Sequence, residues 1–169
     1  RKRNPNHKTC PHLDANFFQK YYICNMIVST KGRYALRVMT DLAQQHNDEF
    51  IPLKDIVTRQ GISQKYAEAI MALLSKAGLI EATRGKTGGY RLNRAPKDYM
   101  VGEILRATEG TLAPVACLED DAVPCTHSKV CTTLPLWTEL NQIVTSFLDS
   151  ISLEDLTHKR IKSKAATSK

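Results

Sequence analysis

The sequence predicts a mainly α fold with a small β-hairpin wing, a winged helix-turn-helix followed by a long dimerisation helix. Three observations predict it. Apolar residues recur three and four apart through most of residues 26–97, two of the helical patterns are joined by the turn "RQGIS", and the basic, glycine-rich hairpin "LIEATRGKTGGYRLNR" follows at once.

From a cap at Ser29 or Thr30, the residues Tyr34, Ala35, Val38, Met39, Leu42 and Ala43 form one apolar stripe on a helix to about His46. A second, short helix follows Pro52, turns Leu53, Ile56 and Val57 inward and stops at Gly61. Ser63 caps a third, whose Ala67, Ile70, Leu73, Leu74 and Ala77 face inward until Gly78 ends it. Leu79 to Ala82 and Tyr90 to Leu92 then flank a turn with three glycines, which reads as a hairpin. Its tip carries Arg84 and Lys86, and its return strand carries Arg91. After Pro96, Val101, Ile104 and Leu105 indicate a connecting helix that ends at Gly110. Thr133 caps a long helix with Pro135 in its first turn, where proline is tolerated. Trp137, Leu140, Val144, Phe147, Leu148 and Ile151 share its apolar stripe, the expected dimerisation surface. Ser152 with Asp155 forms a capping box for a last short turn.

Charge divides the chain. The net charge of +7 is distributed as +4 over residues 1–25, +6 over 26–97, −8 over 98–157 and +5 over 158–169. A basic half suits a polyanion such as nucleic acid, which the acidic half would repel. Residues 1–25 lack sustained periodicity and are expected to be a non-native or disordered leader, which sets Cys10, His12 and Cys24 aside. Residues 26–97 are expected to be the DNA-binding domain. The connecting helix, a cysteine-rich loop and the dimerisation helix fill 98–157, and 158–169 form a disordered basic tail. The longest clean apolar run, Ala69 to Leu74, is six residues. That is far short of the roughly 20 needed to cross a bilayer, so the expectation is a cytoplasmic protein with no membrane partner.

In a helix-turn-helix the first turns of the second helix reach base edges, and here those positions hold Ser63, Gln64, Lys65, Tyr66 and Glu68. Gln64 can pair with adenine, Lys65 with guanine or a phosphate, and Glu68 can accept from cytosine N4. At the wing, Arg84 beside glycine can enter a narrow minor groove. The "GKT" of the hairpin is not a phosphate-binding loop, because Ile80 stands where such a loop needs its first glycine. No nucleophile with a nearby base and no HExxH motif occurs, so the chain does not read as an enzyme.

The segment "CLEDDAVPCTHSKVC" brings together Cys117, Cys125 and Cys131. Three thiolates are soft ligands that suit an iron-sulfur cluster, copper(I) or zinc. Seven residues separate the first pair and five the second. Structural zinc usually has at least one tight two-residue pair, so the wider loops favour a cluster. An odd thiol count disfavours a structural disulfide, while a redox-sensing pair stays open. His127 is a candidate fourth ligand, and Glu119, Asp120 and Asp121 are weaker ones.

With these residues in view the chain resembles the Rrf family of winged helix-turn-helix transcriptional regulators, which includes IscR-, NsrR-, RirA- and CymR-type proteins. The resemblance runs from Met26 to about Leu156 and rests on "STKGRYALRVM", "IVTRQGISQKYAEAIMALLSKAGLI", "RGKTGGYRL", "VGEILRATEG" and the cysteines followed by "LW". It implies a homodimer whose long helices cross, with each winged helix on one half of a palindromic operator in double-stranded DNA. It also implies a 2Fe-2S or 4Fe-4S cluster on the three cysteines, with spacing closer to the RirA type. By the same resemblance Glu68 falls on a glutamate that helps IscR-type proteins choose between two classes of site, and Arg84 on the wing arginine. Leu134 stands where IscR-type proteins place a ligating histidine, and Arg33 where NsrR-type proteins place an acidic ligand. The expected function is a DNA-binding regulator switched by its cluster in response to iron, oxygen, nitric oxide or redox state. The alternative is a cluster-free regulator controlled by thiol oxidation, zinc or a protein partner.

Overall fold

The computed structural model describes residues 28–45, 49–85, 88–123 and 125–161, so the expectations for the leader, for His46 and for most of the basic tail fall outside it. Helix α1 spans Thr30–Gln44, and its cap Ser29 accepts hydrogen bonds from the N–H groups of Lys31 and Gly32. Helix α2, Leu53–Gln60, ends at Gly61, whose φ of +62° is a left-handed conformation open to glycine without a Cβ penalty. Helix α3, Gln64–Lys76, is capped by Ser63, which accepts from the Tyr66 N–H. Caps and glycines thus set the boundaries of the helix-turn-helix.

The helices meet over Val38, Met39 and Leu42 of α1, Ile56 of α2, and Ile70, Met71 and Leu74 of α3, all of them buried. The expected inward face of α3 omitted Met71 and included Ala77. Met71 completes the i, i+3, i+4, i+7 set with Ala67, Ile70 and Leu74, whereas Ala77 is the C-cap and lies exposed. Among the described residues one charged side chain enters this core. Asp41, 4% exposed, accepts from Arg59 Nε at 2.9 Å and Nη2 at 2.7 Å, and from Gln60 Nε2 at 3.0 Å. Arg37 in turn donates to the Gln60 side-chain and backbone oxygens. The end of α2 is therefore bolted to α1 just before the turn into α3.

Strands β1, Ile80–Thr83, and β2, Gly89–Leu92, pair antiparallel with Glu81 opposite Arg91. The free edge of β2 also exchanges two 2.9 Å backbone hydrogen bonds between Tyr90 and Ile51. That approach needs Gly89, because a Cβ there would lie 2.6 Å from the Ile51 carbonyl carbon. Beyond the wing, the hydroxyl of the buried Tyr99 accepts from the N–H groups of Asn93 and Arg94 and donates to Asn93 Oδ1, so burial leaves it no unmet bond.

Helix α4, Val101–Glu109, packs against α1. Its last residue reaches back across the fold. Glu109 Oε1 accepts from the Ser29 N–H, the Ser29 hydroxyl and the Gly32 N–H at 3.1, 2.7 and 2.9 Å, and a side chain on Gly32 would collide with it. A carboxylate there also complements the positive end of the helix dipole. The cysteine segment follows, with single 3-10 turns at Ala116–Leu118 and Ser128–Val130, and leads into α5, Leu134–Asp149. The chain then returns to the core. Val101 N–H donates to Ile151 O, Leu153 N–H donates to Tyr99 O, and Leu153 is buried. The expected Ser152–Asp155 capping box starts the short α6, Leu153–Thr157.

Helix α5 has no buried residue, as an unpartnered apolar helix would. The expected stripe is split by the fold. Ile151 lies past the helix end, buried against Val101 and Leu105, and Leu148 packs on the same cluster. Trp137, Leu140 and Val144 are half-buried, and Phe147 is exposed together with Leu136 and Ile143, two residues the stripe omitted. The omission arose because Leu148 and Ile151 were assigned to the outer face, which rotates the inferred stripe toward α4. None of the described helices is long and apolar enough to cross a membrane.

Replacing Arg59 with alanine should lower unfolding free energy by about 2 kcal/mol, less than the loss of a wholly buried pair because Arg59 is partly exposed. Urea denaturation checks this. An unchanged midpoint would mean that Gln60 and water alone satisfy Asp41.

Candidate nucleic-acid interface and cysteine segment

The start of α3 is held out from the body by its cap and by packing beneath it. Gln64, Lys65 and Glu68 are exposed on one side of its first two turns, and Gln64 Nε2 donates to Glu68 Oε1 at 3.0 Å. Lys65 forms no ion pair among the described residues. Ser63 spends an oxygen lone pair on the Tyr66 N–H. Tyr66 is only half-exposed, and its ring meets Tyr34 of α1 edge-on with centroids 5.8 Å apart. It packs between α3 and α1, beside the exposed face that Gln64, Lys65 and Glu68 share.

At the wing, Arg84 is exposed directly after β1, and the turn closes through a hydrogen bond from Gly88 N–H to Gly85 O. Lys86 lies outside the described residues. Arg91 has local partners, since its guanidinium bonds the cross-strand Glu81 at 2.9 and 2.8 Å and stacks over the Phe50 ring at 4.5 Å. Sequence reasoning missed Glu81, although the hairpin register would have placed it opposite Arg91. An exposed pair of this kind is worth at most about 1 kcal/mol, so a phosphate can compete for Arg91.

Cys117 and Cys125 are exposed free thiols, and Cys131 is a half-buried one. Cys131 Sγ lies 3.5 Å from the Thr133 hydroxyl at the entrance to α5. Thr133 is the N-cap of that helix, as expected, with no hydrogen bond from its side chain to the helix N–H groups. Hydrogen bonding to the thiolate, from the Thr133 hydroxyl first and then from backbone N–H groups, lowers the Cys131 pKa against a small opposing effect of burial. His127 is exposed, with Nδ1 3.1 Å from the Thr126 hydroxyl. If Nδ1 donates, Nε2 keeps a free lone pair, the orientation a metal-binding imidazole requires. Among the described residues no three or more His, Cys, Asp or Glu side chains are gathered closely enough to hold a metal ion. The donor chemistry nevertheless fits a soft metal cluster. Three unpaired thiols stand on a segment with only single 3-10 turns, so gathering them breaks no regular helix or strand.

Residues 28–159 match the sequence model of the Rrf2 family, described as an iron-dependent transcriptional regulator. The chain is 39% identical to the HTH-type transcriptional regulator IscR of Aliivibrio salmonicida, over 78% of this chain and 77% of that protein. It is 38% identical to the HTH-type transcriptional regulator CymR of Bacillus subtilis, over 78% and 89%. Among solved structures, IscR of T. potens superposes with a TM-score of 0.62 at 35% identity, covering 85% of this chain and 93% of that one. The structure of CymR, described as the global cysteine regulator of B. subtilis, superposes with the same score at 36% identity, covering 78% and 95%. These relatives are regulators rather than enzymes. The helix-turn-helix, the hairpin wing and this match over most of the chain make it a member of the Rrf2 family of transcriptional regulators.

Proposed function

We propose that this regulator is a homodimer that binds a palindromic DNA operator and whose affinity is set by an iron-sulfur cluster on Cys117, Cys125 and Cys131. The observation that carries the reading is the position of three free thiols on one segment between α4, which is fixed to the core, and α5, whose apolar side chains stand open. His127 is the proposed fourth ligand. When bound, the cluster would supply a centre that is easily oxidised or lost and so reports on iron or oxidants. The protein's part is mechanical. Holding the three cysteines together shortens the path from Gly110 to Thr133 and resets α5 against α4. If α5 pairs with its copy through Leu136, Leu140, Ile143 and Phe147, that shift changes the separation of the two α3 helices. Two half-sites about 34 Å apart tolerate little error in it. Coupling of about 1 to 3 kcal/mol, or roughly 5- to 150-fold in affinity, is the usual scale of such a switch.

On the DNA side, Gln64, Lys65 and Glu68 read bases. The bond to Glu68 leaves Gln64 one amide N–H and its carbonyl oxygen, enough for adenine. Arg84 enters the minor groove, Lys86 and Arg91 meet phosphates, and Ser63 and Tyr66 hold the helix end in place. Residues 26–97 are then the reader and 98–157 the sensor and dimer unit.

A second reading drops the cluster and makes Cys131 a redox-active thiol or the segment a docking point for a protein. It is favoured by the lowered Cys131 pKa and by a similarity to CymR equal to that with IscR.

Anaerobically purified protein should contain iron and sulfide in equal amounts and absorb near ~400 nm or beyond, and Cys125→Ala should lose all three signals. Colourless protein that cannot be reconstituted would leave the second reading. Lys65→Ala and Glu68→Ala should change the preferred sequence in a binding-site selection, and Arg84→Ala should weaken binding chiefly at narrow minor grooves. Equal losses on every sequence would reduce all three to phosphate contacts. Ile143→Glu with Phe147→Glu should give monomers by light scattering. A persistent dimer would move the interface elsewhere.

A further inference from the structure

Between α4, α5 and the arm that leads into the cysteine segment lies a cleft of about 150 Å³. Arg106 comes from α4, Leu112 from the arm, Leu118 and Asp120 from the start of the cysteine segment, and Asn141 and Thr145 from α5. Size decides the first question. Nucleotides and large cofactors occupy roughly 300–1,000 Å³, whereas a cavity near 150 Å³ takes a molecule about the size of benzene. The cleft therefore holds about six or seven non-hydrogen atoms.

Charge decides the second. Arg106 Nη2 is committed to Asp149 at 2.6 Å, which fixes the guanidinium and leaves its other N–H groups to donate. The side chains of Asp120, Asn141 and Thr145 make no hydrogen bond or ion pair to any described residue. The cleft therefore offers a fixed cation, an unpaired carboxylate, an amide and a hydroxyl beside two leucines. We propose that it binds a small zwitterion, an α-amino acid of alanine or serine size. The ligand carboxylate would meet Arg106 and the Asn141 amide, its ammonium Asp120 and the Thr145 hydroxyl, and its short side chain Leu112 and Leu118. A lone anion or a lone cation would satisfy only half of these groups.

The consequence is a second input. Leu118 and Asp120 stand one and three residues after Cys117, so an amino acid in the cleft pins the first cysteine's end of the segment to both helices whether or not the thiols hold anything. This binding does not depend on the cluster reading, and the test uses metal-free protein.

Isothermal titration of the full-length, reduced, chelator-treated chain with L-alanine and L-serine should show one saturable site per chain, with a Kd at or below about 1 mM. Acetate and ethylammonium should bind at least about 10-fold more weakly. Asp120→Asn and Thr145→Val should each weaken serine about 10-fold without changing the melting temperature, and serine should slow amide exchange over residues 111–120. Acetate binding as well as serine would reduce the cleft to an anion site at Arg106 and overturn the proposal. Absence of saturable heat up to about 10 mM, or full affinity in Asp120→Asn, would overturn it as well.

Discussion

The buried carboxylate of Asp41 constrains the turn into α3, the helix that carries Gln64, Lys65 and Glu68. Taking a charge out of water costs several kcal/mol unless it is paired, and here Arg59 and Gln60 pair it from the last turn of α2. Those two residues immediately precede Gly61, so the bond that satisfies the core also fixes where the chain turns. The direction of α3 follows from that turn and from the Tyr34–Tyr66 edge contact beneath it. Helix α3 is thus held by a polar lock on one side and an aromatic wedge on the other.

Two kinds of surface follow. Around α3 and the wing, Lys65 pairs with no carboxylate among the described residues, and Arg91 is held by the exposed Glu81. Around α5 the surface is acidic and apolar. Leu136, Ile143 and Phe147 stay open on it, while Arg106 to Asp149 and the Val101–Ile151 bond tie its C-terminal end to α4.

Much of this was legible in the sequence because it is local. Ser29, Ser63, Gly61, Gly78 and the Ser152–Asp155 box announce helix ends through bonds spanning two to four residues, and the helical periods name most of the core. What escaped is long-range. Nothing near Gly89 says that Ile51 will press against it, and nothing near Glu109 says that it will reach Ser29. The outward face of α5 was misjudged for the same reason, since Leu148 and Ile151 take their partners from α4. Of the candidate DNA residues, the exposed positions on α3 were readable from helix-turn-helix order, while the scaffold role of Tyr66 needed the position of Tyr34. The cysteines were visible as a set, but spacing alone could not describe their surroundings, such as Thr133 beside Cys131.

The Glu109 contact also bears on how the protein is made. Its two ends are 80 residues apart in the chain, so α1 emerges from the ribosome long before the group that completes its N-terminus. At about 5–20 residues per second, the wait is roughly 4 to 16 seconds. Leu153, buried in the same core as Val38 and Ile70, must arrive later still. The winged helix therefore reaches its finished form only after the cysteine segment has been synthesised, which orders the birth of the two halves in time.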